Sequence, residues 1–182
     1  MKPLAIELAF DSASDQRLGL LWSRLSALYG GPTDSELGVR PHITLALFRS
    51  GEPRGLPGVL ESLAGELACF DLTLRTVDRF PGSEGVVFLR PEVSAELLRA
   101  HTILHGLLAE ERDLVHAYYR PGTWHPHCTM AINVPDVLID TVLSACRSAE
   151  ALGDVRVARI QAVRYRPATE IGGFWLEQRQ TV

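Results

Sequence analysis

Two histidines lie at matching places in a short pattern that the chain contains twice. The first copy is Pro41-His42-Ile43-Thr44-Leu45-Ala46-Leu47, and the second is Pro126-His127-Cys128-Thr129-Met130-Ala131-Ile132. Both have the form Pro-His-x-Thr-apolar-Ala-apolar, and the histidines are 85 residues apart, at positions 42 and 127. Each copy is a short, mainly apolar run, which predicts a buried strand. Because side chains alternate along a strand, each histidine shares a face with the threonine two positions later.

Two imidazoles on opposite walls of a groove can act as a general base and a general acid. Their ordinary pKa of about 6.5 lets one be neutral while the other is protonated. A threonine beside each can donate a hydrogen bond to an oxyanion, and its branched side chain holds its direction. This set suits in-line displacement at phosphorus without a metal. A single His-x-Thr could be purely structural, but two matched copies favour catalysis by His42, His127, Thr44 and Thr129.

The elements that must position these residues repeat along the chain. Apolar periodicity and turn residues predict strands at 4–10, 42–48, 70–79, 85–90, 127–133, 155–165 and 173–179, and helices at 12–29, 58–68, 94–109 and 135–152. A shift of 85 residues places the elements of the first half on those of the second within a few residues. We therefore predict one bilobal α+β domain over residues 1–182, a duplicated unit with two antiparallel-type sheets around a central groove and helices outside.

Composition narrows the classes of function. The net charge of −4 argues against an extended surface for duplex nucleic acid, because such binding needs many cations. Three cysteines form no CxxC pair. No apolar run approaches the roughly 20 residues of a membrane span, and acidic residues interrupt any signal-peptide core. We expect a cytoplasmic monomer that needs no cofactor and no metal.

The paired motifs carry a resemblance to a known family. His42-Ile43-Thr44-Leu45 and His127-Cys128-Thr129-Met130 resemble the twin His-x-Thr/Ser-apolar motifs of the 2H phosphoesterase superfamily. The 2′-5′ RNA ligases and RNA 2′,3′-cyclic phosphodiesterases are the most similar branch, over nearly the whole chain. The resemblance implies a bilobal α+β fold and metal-independent hydrolysis of 2′,3′-cyclic or 2′-5′ phosphodiester linkages, with weak ligation in reverse. The expected partners are RNA ends or small nucleotides with a cyclic phosphate, and no membrane.

Three further residues are candidates for substrate binding. Phe48 shares strand parity with His42 and Thr44, so it could stack on a base or pack in the core. Trp124, in the segment before the second motif, could stack on a base or fasten that segment. Arg40 precedes the first motif and could contact phosphate, or remain a solvated charge.

Two other functions compete with hydrolysis by paired histidines. The groove could bind a nucleotide or an RNA end without catalysis, or His116, His125 and His127 could hold zinc in a hydrolase. His101 and His105 have the spacing of zinc ligands on a helix, but their pattern lacks the glutamate of HExxH and indicates a solvated helix face. Cys128 points away from the histidines by parity, which argues against a cysteine nucleophile.

Overall fold

The computed structural model describes residues 2–82 and 84–178. Within them lie seven strands, namely β1 (Leu4–Phe10), β2 (His42–Phe48), β3 (Phe70–Arg79), β4 (Val87–Pro91), β5 (Cys128–Ala131), β6 (Gly153–Arg164) and β7 (Thr169–Trp175). The same residues form five α-helices, namely α1 (Ser12–Tyr29), α2 (Asp34–Leu37), α3 (Leu56–Gly65), α4 (Ala95–Leu107) and α5 (Ile139–Arg147). Short 3₁₀ helices cover Ala109–Leu114, Ala117–Tyr119 and Asp136–Leu138.

Most predicted elements are present, with shifted ends. The last strand begins at Thr169 rather than at residue 173, and residue 179 of the prediction lies outside the described residues. The predicted helix 135–152 is divided, because a 3₁₀ turn precedes α5. The long loop at 111–126 contains two 3₁₀ helices. Helix α2 was not predicted, and a capping box between Thr33 and Glu36 starts it.

One long strand connects all the others. Strand β6 pairs with β1 along one edge, while its first half pairs with β3 and its second half with β7 on the other edge. Outward from β6, β1 pairs with β2, and β3 pairs with β4, which pairs with β5. Every strand pair is antiparallel. The α+β class is confirmed, and the two predicted sheets are joined into one seven-stranded sheet through β6.

Helices α1 and α4 each contact a strand in the other half of the sheet from the strand that they follow in sequence. Helix α1 follows β1 in sequence and contacts β5 and α5, whereas α4 follows β4 and contacts β2 and α3. Helix α3 packs against β6 and β7, where Leu60 lies beneath Gly172. Gly172, Ala162 and Ile6 form one row, so α3 covers their face of the sheet. Glu7 and Thr44 lie on the opposite face, which we call the groove face. None of the helices in the described part of the chain has the length and apolar character that a membrane crossing requires.

A β-bulge in β2 corrects the prediction for Phe48. Ile6 pairs with Ala46 and Glu7 pairs with Thr44, so Leu45 is an extra residue in β2. A bulge reverses the alternation of side chains beyond it. Phe48 therefore points to the opposite face from Thr44 and is 0% exposed. The prediction that Phe48 stacks on a base is wrong, and its alternative, core packing, is what the structure has.

Gly85 allows the segment before β4 to approach the segment after β5. Its φ is +55°, and a Cβ at this position would lie 2.1 Å from the Val134 carbonyl oxygen. The Val134 amide also donates a hydrogen bond of 3.0 Å to the Gly85 carbonyl oxygen. This backbone contact holds the end of the strand that carries the second motif.

We expect Gly85→Ala to lower the free energy of unfolding by about 3 kcal/mol, because it adds a clash to a left-handed backbone conformation. Urea unfolding followed by circular dichroism measures this change. Gly58→Ala is the matched control, since a Cβ there meets nothing within 4 Å inside helix α3. That control should be more stable than wild type by about 0.5–1 kcal/mol. Equal unfolding midpoints for Gly85→Ala and wild type would contradict the close approach.

Candidate active site

The two histidines are held by the same local hydrogen bond. The His42 Nδ1 atom lies 2.6 Å from the Arg40 carbonyl oxygen, and the His127 Nδ1 atom lies 2.8 Å from the His125 carbonyl oxygen. A carbonyl oxygen only accepts, so each Nδ1 carries the hydrogen. The Nε2 atom of each ring is then the one that can exchange a proton with a substrate.

The structure brings the two motifs together. Strand β2 contacts β5, and the Cys128 thiol lies beside the backbone of His42. Thr44 and His42 lie on one face of β2, because they pair with Glu7 and Ala9 of β1. Burial raises the pKa of the Cys128 thiol to about 12, so this cysteine is unsuited to act as a nucleophile.

His127 lies in apolar surroundings. Its ring is perpendicular to that of Phe80, with centroids 4.8 Å apart, and 5.4 Å from the ring centroid of Phe88. Burial lowers the pKa of His127, and the nearby His42 lowers it further, against the opposing hydrogen bond to His125. His127 is therefore a neutral imidazole at neutral pH.

His42 has polar surroundings instead. Its Nε2 atom lies 3.3 Å from the Tyr165 hydroxyl and 3.5 Å from Glu7 Oε1. The Tyr165 hydroxyl donates to Glu7 Oε1, and Gln161 Nε2 donates to Glu7 Oε2 over 3.0 Å. Burial and the Glu7 carboxylate raise the pKa of Tyr165 far above its usual range, so the hydroxyl stays protonated and remains a donor.

The sequence analysis did not identify Glu7, Gln161 or Tyr165. One signal was present, since Glu7 interrupts an otherwise apolar strand and is 1% exposed in the structure. A charged residue in such a position is rare unless it is paired. Its partners come from β6 and the turn after it, more than 150 residues away in the sequence, so their role could not be predicted from local patterns.

A small cavity of about 70 Å³ lies beside His42. Its lining consists of Glu7, Gly38, Val39, Arg40, His42, Gln161, Val163, Tyr165 and Glu170. The buried polar groups around His42 thus adjoin the surface from which a substrate could approach.

The remaining predicted substrate residues have structural contacts. The Trp124 indole donates a 3.0 Å hydrogen bond to the Thr44 carbonyl oxygen and stacks on His101 at 3.9 Å. These contacts favour the alternative in which Trp124 fastens the segment before the second motif to β2. The Arg40 side chain is 73% exposed and lies 3.4 Å from Asp15, so its contact with phosphate stays a prediction.

An exposed tryptophan lies on the groove face of the sheet and was also missed. His42, Ala9, Arg159 and Trp175 form one row across β2, β1, β6 and β7 through successive pairings. Three strand spacings separate the ends of this row by about 14 Å. Trp175 is 68% exposed, and the Arg159 guanidinium carbon lies 5.2 Å from its ring centroid. The sequence offered no signal, because the pairing of β7 sets the direction of this side chain.

The prediction of a solvated helix face is wrong for His101, whereas His105 is half-buried. His101 is 5% exposed and forms a 2.9 Å hydrogen bond with the Tyr119 carbonyl oxygen, and burial lowers its pKa to about 4. The reason is that Trp124 folds back over α4 and covers the ring. Among residues 2–82 and 84–178, no group of three His, Cys, Asp or Glu side chains is arranged to hold a metal ion. The zinc alternative with His116, His125 and His127 therefore gains no support.

The chain has the same fold as several solved structures. It resembles Escherichia coli LigT in apo form, at 18% identity and a TM-score of 0.64 over 97% of this chain and 98% of that one. For E. coli LigT complexed with 3′-AMP, the identity is 16% and the TM-score 0.63 over 97% and 99% of the chains. For TT0787 of Thermus thermophilus, the identity is 19% and the TM-score 0.62 over 98% and 100%.

Comparison with the curated proteins gave no match. A family model, in contrast, matches most of the chain, from residue 14 to residue 169, and its description is the 2′-5′ RNA ligase superfamily. The match spans both His-x-Thr motifs and the strands that hold them. Membership of this group of 2H phosphoesterases implies an enzyme of the phosphodiesterase type. The chain belongs to the 2′-5′ RNA ligase superfamily.

Proposed function

We propose that this protein is a phosphodiesterase that opens 2′,3′-cyclic phosphates, or cleaves 2′-5′ linkages, at RNA ends or in nucleotides. The observation that carries the proposal is the matched pair of imidazoles in adjacent motifs, each fixed through Nδ1 and each followed by a threonine. The proposed steps need no metal, and ligation is the same chemistry in reverse.

In this mechanism the two imidazoles have different tasks. His127, neutral because of its apolar surroundings, accepts a proton from water at Nε2 as the water oxygen bonds to phosphorus. The bond from phosphorus to the ribose 2′ or 3′ oxygen breaks, and protonated His42 gives its Nε2 proton to that oxygen. Thr44 and Thr129 donate hydrogen bonds to the other phosphate oxygens, where charge increases in the transition state.

A nucleotide substrate agrees with the fold and with the groove face. Crystal structures of E. coli LigT contain 3′-AMP, ATP or NADP+. In the present chain, Trp175 offers an exposed ring about 14 Å from His42 along the row of paired residues. Stacking of a base on such a ring tolerates any sequence. We propose Trp175 as the platform in place of Phe48, for a base beyond the reacting phosphate.

We expect His42→Ala and His127→Ala each to lower kcat/KM for a 2′,3′-cyclic mononucleotide by about 10²–10⁴-fold, because each removes one proton transfer. Thr44→Ala and Thr129→Ala should cost about 10- to 1000-fold, as expected for one donor to the transition state. The measurement is the initial rate of ring opening for each variant. Circular dichroism verifies that each variant is folded.

His116→Ala is the control for these variants, since it removes a histidine that belongs to the zinc alternative only. Its rate should equal that of wild type, with and without a chelator. If either His42→Ala or His127→Ala kept most of the wild-type rate while folded, the two-histidine mechanism would be wrong.

We expect a bell-shaped dependence of kcat/KM on pH. On the acid side of the profile, kcat/KM falls where His127 takes up a proton and ceases to act as a base. Burial lowers the pKa of His127. The acid limb should therefore lie below the usual histidine value of about 6.5. Rates from pH 4.5 to 9 test this, with circular dichroism at each pH as the control for unfolding. An acid limb above pH 7 would contradict the assignment of His127 as the base.

We expect Trp175→Ala to raise KM for a dinucleotide with a cyclic end by about 5- to 100-fold, which corresponds to the loss of one stacked base. The kcat value should change little, because the ring lies away from the reacting phosphate. The matched control is Tyr118→Ala, which removes another exposed aromatic ring, 74% exposed, outside the row of paired residues. An unchanged KM in Trp175→Ala would exclude this platform.

A further inference from the structure

A buried carboxylate lies at the side of the first catalytic histidine. Glu7 is 1% exposed, and both of its oxygens accept hydrogen bonds, from Tyr165 and from Gln161. Removing an ionised carboxylate from water is costly unless an opposite charge lies close to it. Among the described residues, the only cationic or potentially cationic group within ion-pair distance of Glu7 is His42, at 3.5 Å.

Both nitrogens of His42 face oxygen atoms. Nδ1 points to the Arg40 carbonyl oxygen, and Nε2 lies near the Tyr165 hydroxyl and Glu7 Oε1. The Tyr165 hydrogen is already directed to Glu7, so the hydroxyl has only lone pairs left for His42. A neutral ring would place the lone pair of Nε2 against these oxygens. An imidazolium, in contrast, donates from both nitrogens and satisfies every partner.

The corresponding position in the second half has the opposite character. Glu7 is the β1 residue that pairs with Thr44, and Phe88 is the β4 residue that pairs with Thr129. The same place in the pairing pattern therefore holds a carboxylate beside one motif and an aromatic ring beside the other. Phe88 and Phe80 contact His127 and favour its neutral form.

We infer that Glu7, oriented by Tyr165 and Gln161, is a positioning residue that keeps His42 protonated as the acid of the reaction. The role of acid rests on the proposed function, whereas the ionic state of His42 in the free protein does not. Glu7 is 1% exposed and lies beside Nε2 of His42 at the edge of the cavity, and the proposed steps give it no bond to the substrate. Its negative charge acts through the His42 ring.

The other charged groups near His42 are paired with opposite charges, and the other titratable groups named here are neutral. At the cavity, Arg40 lies 3.4 Å from Asp15, and the Glu170 carboxylate accepts two hydrogen bonds from Arg159. Tyr119, whose pKa is raised by burial and by the charge of Glu7, stays neutral. His127, the remaining titratable neighbour, is neutral as well. Among the described residues, Glu7 is thus the negative charge beside His42 that has no other cationic partner within ion-pair distance.

The test is Glu7→Gln, which keeps the size of the side chain and an oxygen that accepts from Tyr165 but removes the charge. Side-chain ¹⁵N NMR of the free protein at pH 7 reports the state of each histidine, and His42→Ala assigns the His42 signals. We expect His42 to be an imidazolium in wild type and neutral in Glu7→Gln. Glu170→Gln is the control, since it removes a carboxylate of the same cavity that pairs with Arg159, and should leave His42 an imidazolium.

The kinetic arm compares kcat/KM for a cyclic mononucleotide at pH 8 and at pH 6. Glu7→Gln removes the negative charge that faces Nε2 of His42 and favours the imidazolium, so the ratio of the two rates should fall about tenfold in this variant. The ratio should stay at the wild-type value in Glu170→Gln. A role of Glu7 in folding alone would lower the rates without this change in ratio.

The two proposals fail in different ways. A wild-type His42 that is neutral at pH 7, or one that stays an imidazolium in Glu7→Gln, overturns this inference, and the first result decides even where the variant does not fold. A protein with the expected NMR states but no activity on cyclic phosphates or 2′-5′ linkages overturns the proposed function instead.

Discussion

The pairing of β6 with β1, β3 and β7 is the constraint on which the site depends. Through this strand, the part of the sheet that holds β1 and β2 joins the part that holds β4 and β5. Helices α1 and α4 then cross from one part to the other, and β2 and β5 come into contact. Two motifs that are far apart in sequence are thus brought next to each other by the sheet. The hydrogen bonds and apolar contacts of the sheet position both imidazoles.

The near-repeat of the chain produces an asymmetric site. Both histidines are held by a backbone carbonyl two residues before them, so their ring orientation is a local property of the motif. What differs is the strand beside each motif, with Glu7 next to one and Phe88 next to the other. A nearby negative charge favours the protonated imidazole, whereas an apolar environment favours the neutral one. Two copies of one sequence pattern therefore place one histidine beside a carboxylate and the other beside two aromatic rings.

The missed features share a physical cause, which is contact between distant parts of the chain. Phe48 is buried because one extra residue in β2 reverses the alternation, and a bulge leaves no mark in an apolar run. His101 is covered because Trp124 lies on α4. Trp175 is exposed on the groove face because β7 pairs with β6 in one register. In each case a local pattern was compatible with two directions of the side chain, and packing selected one.

The resemblance of the two motifs to a known pattern indicated the family. The sequence by itself determined the α+β class, the order of the strands and longer helices, and the two His-x-Thr pairs. These follow from periodicity, turn residues and a repeated motif, which are all local or directly comparable along the chain. Only the tertiary structure decided which partners surround each histidine, because Glu7, Gln161 and Tyr165 meet through strand pairing and burial. The ionic state of a histidine depends on the charges and solvent within a few ångströms of it. That environment exists only after the chain has folded.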